Sequence, residues 1–192
     1  FSQIAQETAD WVLSEMQSFE GCYFSTLDAD SEDAEGCYYL WDESQLSSIL
    51  SENELAAITT LYGIKGTPNF EGRWHLNVAV SHLEAARLLK LPSEVFNTHL
   101  AAAHSKLRIE RKARIRPHCD DKVLTSWNGL LLGAMARAGR RLDRTDLIDS
   151  AERALAFIQT HLWQEERLFA TTRDGTSHLN AYLDDYAFLA AG

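Results

Sequence analysis

Five carboxylates crowd residues 28–36, DADSEDAEG: Asp28, Asp30, Glu32, Asp33 and Glu35, with no basic residue among them. Like charges this close repel, so a plain solvated loop gains little from such density. Hard cations and sugar hydroxyls both use clustered carboxylate oxygens. An EF-hand fails on spacing: Asp33 stands where Gly is needed and Tyr39 where the closing Glu belongs. No cofactor is expected, with a looser calcium site at Asp28, Asp30 and Glu32 as the minor alternative. Tyr23, Phe24, Tyr38, Tyr39 and Trp41 flank the loop, and flat apolar faces beside acceptors suit a sugar. Against both stands a solvated hairpin tip, in which Asp and Ser make local turns.

Two further acidic pairs, Asp120-Asp121 and Asp184-Asp185, each precede an apolar stretch with helical periodicity. Capping and the helix dipole account for one Asp of each pair and leave the second unexplained. Carboxyls brought together from distant segments are what glycoside chemistry uses, one as acid and one as base or nucleophile. His118 lies in the polar stretch RPHCDDK, where its ring is free to titrate. The candidate catalytic set is therefore Asp120, Asp121, Asp184, Asp185 and His118. Asp28, Asp30, Trp41, Trp127, Asn128 and Tyr186 are the candidate substrate-binding residues. A Trp on a helix of small apolar residues, such as Trp127, is more often core than contact. No metal is expected: His99 and His104 are five apart, so they do not share a helix face, and no zinc motif occurs. Nucleophile-elbow, P-loop and dinucleotide motifs are also absent.

Elements must position these groups. IAQETADWVLSEM reads as an amphipathic helix with Ile4, Ala5, Ala9, Val12, Leu13 and Met16 inward. GCYFS and CYYLW read as strands of a hairpin around the acidic loop, with Cys22 opposite Trp41 and Thr26 opposite Cys37. DESQLSSIL and SENELAAITTLYG predict two short helices, the second capped by Ser51 and stopped by Gly63. Residues 65–80 are punctuated by Gly and Pro, part loop and part strand. Pro92 and Ser93 open a long helix that ends before Pro117. VLTSWNGLLLGAMARAGRRL is apolar or small on nearly every face, which predicts burial on most sides. DLIDSAERALAFIQTHLW turns Leu147, Ile148, Ala151, Leu155, Ile158 and Leu162 inward. RLFATTRDG is a strand and turn, and DDYAFLAAG starts another helix. A weak repeat, offset by 145 residues, aligns Glu7–Thr26 with Glu152–Thr171. A repeated unit of two helices predicts an array of helical hairpins, (α/α) in kind, with inner-helix ends and loops lining a cleft.

Composition bounds the class. Of 192 residues 45% are hydrophobic and 24% charged, as in a globular domain. Net charge is −10, unevenly spread. Residues 1–64 hold 13 acids and no Lys or Arg, and the remainder holds 15 acids and 18 basic residues. A nucleic-acid surface needs a dense basic face, and the six basic residues of KLRIERKARIR spread around a helix instead. No apolar run spans a bilayer. The three cysteines, Cys22, Cys37 and Cys119, read as free thiols in a reducing compartment, which predicts a cytoplasmic protein. Both ends read as cuts, so the chain is expected to be part of a larger protein that self-associates through exposed inner helices.

GCYFSTLDADSEDAEGCYYLW, IRPHCDDKVLTSWNGLLLGAMARAG and LDDYAFLAAG together resemble, in order and spacing, segments of the thioredoxin-domain-containing, spermatogenesis-associated protein 20-like family. The resemblance implies a thioredoxin-like domain followed by an (α/α)6 toroid, the fold of six-hairpin glycosidases and N-acylglucosamine 2-epimerases. This chain would form the first part of that toroid, 1–192. Its sequence holds no C-x-x-C, so a redox role of the family is not carried by these residues. Cys22 and Cys37 also depart from the Gly and Lys of the family pattern. The expected fold is mainly α, a partial toroid with small β-hairpins in its loops. The expected function is carbohydrate-active or carbohydrate-binding, whether hydrolase-like or epimerase-like. The alternative is a non-catalytic binding or scaffold domain serving a thioredoxin-like partner. A small molecule is the expected ligand, with no nucleic acid and no membrane.

Overall fold

The computed structural model of the chain describes residues 1–192. Its elements are mainly helices, joined by short antiparallel strands. Two units divide it: Phe1–Asp28 with Cys119–Gly192, and Ala29–His118 inserted between them. No helix is long and apolar enough to cross a membrane, and all three cysteines are free.

The first unit begins with α1 (Ser2–Trp11), which runs into a five-residue π-helical turn, Val12–Met16, and then to β1 (Thr26–Leu27). Ala9, Val12 and Met16 are buried at the expected spacing. Ile4 and Ala5, expected on the same stripe, are exposed, because the helix joins the core only from its last turn onward.

In the second unit β2 (Asp30–Ser31) and β3 (Ala34–Glu35) form a minimal hairpin. Glu32 and Asp33 turn it in the left-handed region, at φ 54° and 60°. The longer hairpin expected between GCYFS and CYYLW does not form. Thr26 pairs with Asp120 and Leu27 with Cys119 instead. The CYYLW stretch is bent out of register by Arg114, whose Nη1 donates to the carbonyls of Cys37 (3.3 Å), Tyr38 (3.0 Å) and Leu40 (2.7 Å).

Next come α2 (Glu43–Ile49) and α3 (Glu52–Tyr62), both as expected. A capping box opens α2: the Gln45 N–H donates to Asp42 Oδ1 at 2.8 Å and the Asp42 N–H to Gln45 Oε1 at 3.3 Å. Gly63 ends α3 with φ 63°. Residues 65–80 make only isolated bridges, Phe70 to Arg73 and Trp74 to Trp41. The strand expected there is broken by Pro68 and by the positive φ of Gly66 and Gly72. α4 (His82–Leu88), for which no element was expected, starts where Ser81 Oγ accepts the Glu84 N–H at 3.2 Å. α5 (Ser93–Lys112) follows Pro92. Leu46, Ile58, Leu61, Ala85, Phe96 and Leu100 form this unit's core.

The chain re-enters the first unit through β4 (Cys119–Asp120), β5 (Val123–Leu124) and α6 (Thr125–Leu142). α7 (Thr145–Phe157) runs into a second five-residue π-helical turn, Ile158–Leu162. β6 (Trp163–Gln164), β7 (Arg167–Arg173), β8 (Thr176–Asn180) and α8 (Leu183–Ala191) complete it. β7 pairs antiparallel with β5, β6 and β8. α1 and α7 both end in five-residue π-helical turns, 146 residues apart, one residue off the 145-residue offset of the weak sequence repeat.

α6 lies at the centre, against α1, α7 and α8. Its small residues have a purpose. A Cβ on Gly129 would stand 2.6 Å from the Leu189 nitrogen, and one on Gly133 2.7 Å from the Gly192 Cα. Glycines four apart thus let α8 approach α6 backbone to backbone. As expected, α6 is buried or half-buried on most sides; Trp127, Leu130 and Ala134 lie on the one stripe its neighbours leave open to solvent. Leu155, expected inward on α7, is likewise exposed beside Trp163, while Leu147, Ala151, Ile158 and Leu162 are buried.

Candidate functional site

The residues singled out from sequence divide between the units. Asp30, Trp41 and His118 lie in the second, and the other eight in the first.

In the second unit Asp30 is exposed on β2, directly across from Glu35. His118 is exposed. Trp41 is buried, and its backbone exchanges hydrogen bonds with Trp74 at 3.0 and 2.7 Å. The Arg114 guanidinium stacks on the Trp41 indole, 3.9 Å from its centroid. That face is closed to a ligand. Burial pulls the Arg114 pKa below its ordinary value, yet the three carbonyls and the indole still hold its charge in place.

In the first unit two buried polar groups fasten elements together. Asn128 is 2% exposed. Its Oδ1 accepts the Tyr23 N–H at 2.8 Å, and its Nδ2 donates to the carbonyls of Tyr23 (2.9 Å) and Leu124 (3.0 Å). The amide mimics one rung of a β-ladder, so β1's approach segment is tied to α6 by a side chain. Tyr23 is also buried, and burial raises its pKa, while its hydroxyl meets Ser150 Oγ of α7 at 2.7 Å. Asp185 is 3% exposed. Its Oδ1 accepts the Ser126 N–H at 3.0 Å and its Oδ2 the Tyr182 N–H at 2.8 Å. One carboxylate therefore caps α8 and α6 at once, setting the two helix starts side by side.

That clamp defines what is presented there. Trp127, the third residue of α6, is 54% exposed, and Tyr186 on the first turn of α8 is 44% exposed. Asp184, between Leu183 and the clamp, is exposed too. Asp28 is exposed just beyond β1.

Asp120 and Asp121 each have a cation of their own. Lys122 Nζ is 3.1 Å from Asp120 Oδ2, and the Lys122 N–H donates to Asp120 Oδ1 at 3.3 Å. Desolvation works to raise the Asp120 pKa, but these Lys122 contacts outweigh it and hold the carboxyl below the ordinary range. Asp121 Oδ1 meets Arg173 Nε at 2.7 Å. No group of three or more His, Cys, Asp or Glu side chains converges as a metal site.

Sequence reading missed two residues that shape these surroundings, Arg114 and Ser150, and took a third, Tyr23, for an aromatic at the acidic loop rather than a core residue. Tyr23 carried one signal, as an aromatic that needs a partner for its hydroxyl when buried. Arg114 carried none, being one of six basic residues in a row of similar ones.

No family model matches the chain. Over its whole length it is 30% identical to human spermatogenesis-associated protein 20, 27% to the mouse protein and 26% to the rat protein. The chain spans 29% of the length of each of these curated relatives. It is a homologue of one segment of that protein, and the motif resemblance extends to the full chain: this is a spermatogenesis-associated protein 20-like sequence.

Proposed function

We propose that the chain is a carbohydrate-binding portion of an (α/α) toroid, recognising sugar on the face formed where α6 and α8 begin. The observation that carries the reading is the Asp185 clamp, which caps α6 and α8 together, while Trp127 near the start of α6 and Asp184 and Tyr186 near the start of α8 are exposed rather than in the core. Aromatic faces stack on the C–H faces of a sugar ring, and a carboxylate accepts its hydroxyl protons. Asp120, kept ionised by Lys122, is suited to accept hydrogen bonds and unsuited to be a general acid, which needs a raised pKa. Binding is therefore favoured over hydrolysis for these residues. The scaffold alternative draws on a separate observation, the exposed apolar side chains Leu130 and Leu183 on the same helices.

Titration with neutral mono- and disaccharides, followed by tryptophan fluorescence and calorimetry, tests the reading. Saturable binding that weakens roughly 2- to 10-fold in Trp127→Ala is expected from the loss of one stacked ring. Because Trp127 lies outside the core, that variant should melt with the parent. Binding untouched by Trp127→Ala and Asp184→Asn, or no saturable binding, sinks the proposal in favour of the scaffold.

A further inference from the structure

The open stripe of α6 has a pattern of its own. Along it lie Trp127, Leu130, Ala134, Arg137 and Arg141, all exposed, with spacings of three and four residues in alternation. That is the spacing of a coiled-coil seam, the a and d positions of successive heptads, which keeps one line of side chains toward a partner helix. The unit itself does not use this line. α6 meets α1, α7 and α8 through its other sides, where Asn128, Gly129, Leu132, Gly133 and Met135 are buried.

The stripe changes character from end to end. Its start is aromatic and acidic. Trp127 presents an indole there, and the exposed Asp184 precedes Asp185, which accepts the Ser126 N–H. Its end is basic. Arg137, Arg140 and Arg141 are exposed and take part in no ion pair, unlike Arg144 just beyond, which holds Asp10 and Asp146. The helix dipole accounts for cations at this end. It does not account for an apolar line leading up to them.

Two such stripes fit each other head to tail. Parallel pairing would set Arg137 and Arg141 against their own counterparts, and like charges repel. Antiparallel pairing about a two-fold axis between Leu130 and Ala134 instead makes four layers. Trp127 meets Arg137 of the second copy, Leu130 meets Ala134 of the second copy, and symmetry repeats both. The middle layers set a large residue on a small one, as close packing requires. In the outer layers a guanidinium covers an indole. Arg141 then reaches past Trp127 of the other copy to the start of its α8, the place of Asp184. A face complementary to itself under a two-fold rotation closes on one further copy and goes no further.

We propose that the open stripe of α6 is a homodimer interface, antiparallel about an axis between Leu130 and Ala134, with Arg137 of each copy over Trp127 of the other. The pairing does not rest on the sugar reading. It uses Trp127 as well, so a second copy and a sugar exclude each other at that ring. A single pair of helices buries less than the roughly 1,200–2,000 Å2 of a standard interface. The dimer is accordingly weak, with a dissociation constant on the order of 100 µM.

Analytical ultracentrifugation of the full chain, from about 5 µM to about 1 mM around that constant, is the test. A reversible monomer–dimer equilibrium is expected. Arg137→Glu should weaken it roughly 5- to 30-fold, because symmetry breaks two Trp–Arg contacts at once. Ala134→Glu should abolish it by setting a charge against Leu130. Both positions are exposed, so both variants should melt with the parent. Arg141→Asp should weaken the dimer too, and adding Asp184→Arg should restore it, a rescue that only the antiparallel register explains. A monomer at every concentration, a dimer indifferent to Arg137→Glu and Ala134→Glu, or a charge swap that fails to rescue overturns the proposal. Saccharide titration of the Ala134→Glu variant, whose Trp127 no second copy covers, separates the two readings. Binding there, with a parent that never dimerises, sinks the pairing alone. A parent dimer, with no saccharide binding to the variant, supports the pairing and sinks the sugar reading alone.

Discussion

Replacing Asn128 by Ala removes in one step both hydrogen bonds between Tyr23 and α6. The N–H and C=O of Tyr23 would then be buried without partners, since Tyr23 is a core residue. Each orphaned group costs about 1–3 kcal/mol. Counting those two alone, at the lower part of the range, gives about 3 kcal/mol, a large share of a typical stability of about 5–15 kcal/mol. At about 2–4 °C per kcal/mol for a domain of this size, the melting temperature should fall by roughly 6–12 °C. Asn128→Asp sharpens the test because it keeps the shape and the acceptor for the Tyr23 N–H. When ionised, the new carboxyl points an oxygen at the carbonyls of Tyr23 and Leu124, where Nδ2 now donates. Ionisation is thus disfavoured in the fold, and the folded pKa of that carboxyl rises above its unfolded value of about 3.9. The protonated form is tolerated below that pH. Stability relative to the parent then falls as pH rises, by about 1.4 kcal/mol per unit, until the folded pKa is reached. Urea denaturation of parent and variants at matched pH, from about 3.5, below the unfolded pKa of about 3.9, up to neutrality, measures both effects. An Ala variant within about 0.5 kcal/mol of the parent, or an Asp variant whose deficit is flat with pH, would refute the argument. Lost sugar affinity at unchanged stability would instead return Asn128 to the binding residues.

Asp185→Ala should cost about 2–3 kcal/mol in the same assay, because two helix-start amides lose their acceptor together, with Asp185→Asn intermediate; equal stability of all three proteins would contradict the double cap. Glu54 Oε2 accepts from Lys106 Nζ at 2.7 Å and from the Ser51 N–H at 2.8 Å, and these bonds, Lys106 first, lower its pKa from 4.5 to about 2. A depressed carboxyl adds stability above its unfolded pKa of 4.5 and loses it as pH falls toward about 2. Acid titration of Lys106→Met should accordingly show a shallower decline of stability across that window, and a slope matching the parent would count against the pairing. Arg114→Lys, which cannot bridge three carbonyls and cover an indole at once, should speed amide hydrogen exchange across residues 36–41. Unaltered exchange there would mean the loop holds its shape without the guanidinium.

Local signals were legible wherever one segment settles its own structure. Ser51 and Gly63 bounded α3, Pro92 opened α5, and the Asp174-Gly175 turn ended β7, each for reasons of capping or left-handed backbone. The hairpin around the acidic loop was misread because its outcome depends on Arg114, some 75 positions away, and on a partner for β1 that lies beyond ninety intervening residues. Periodicity cannot see either. The small residues of α6 predicted its burial on most sides, but not that Gly129 and Gly133 serve one close approach to α8 or that Trp127 falls on the single open stripe. Among the site candidates, Trp41, Asn128 and Asp185 had the right chemistry for a ligand, but their polar atoms or ring faces are already occupied by the protein. Residue type announces capacity to bond, and only the fold shows with whom.

The chain leaves the first unit just after Leu27 and returns at Cys119, and those two residues are register partners on adjacent antiparallel strands. Neighbouring strands of this kind stand about 5 Å apart, a gap that a two-residue reverse turn closes. Everything between, an independent core with its own caps, enters and exits through one doorway. Such a geometry makes residues 29–118 a cassette: a graft that can be exchanged for a short Asn-Gly turn, or for a different module, with the host's sheet register left intact. Gene architecture can exploit the same doorway, because both ends of the inserted segment fall at one pair of strand ends. Diversity among distant members of this lineage is then expected to concentrate in the cassette, with the host helices and their π-helical turns changing more slowly.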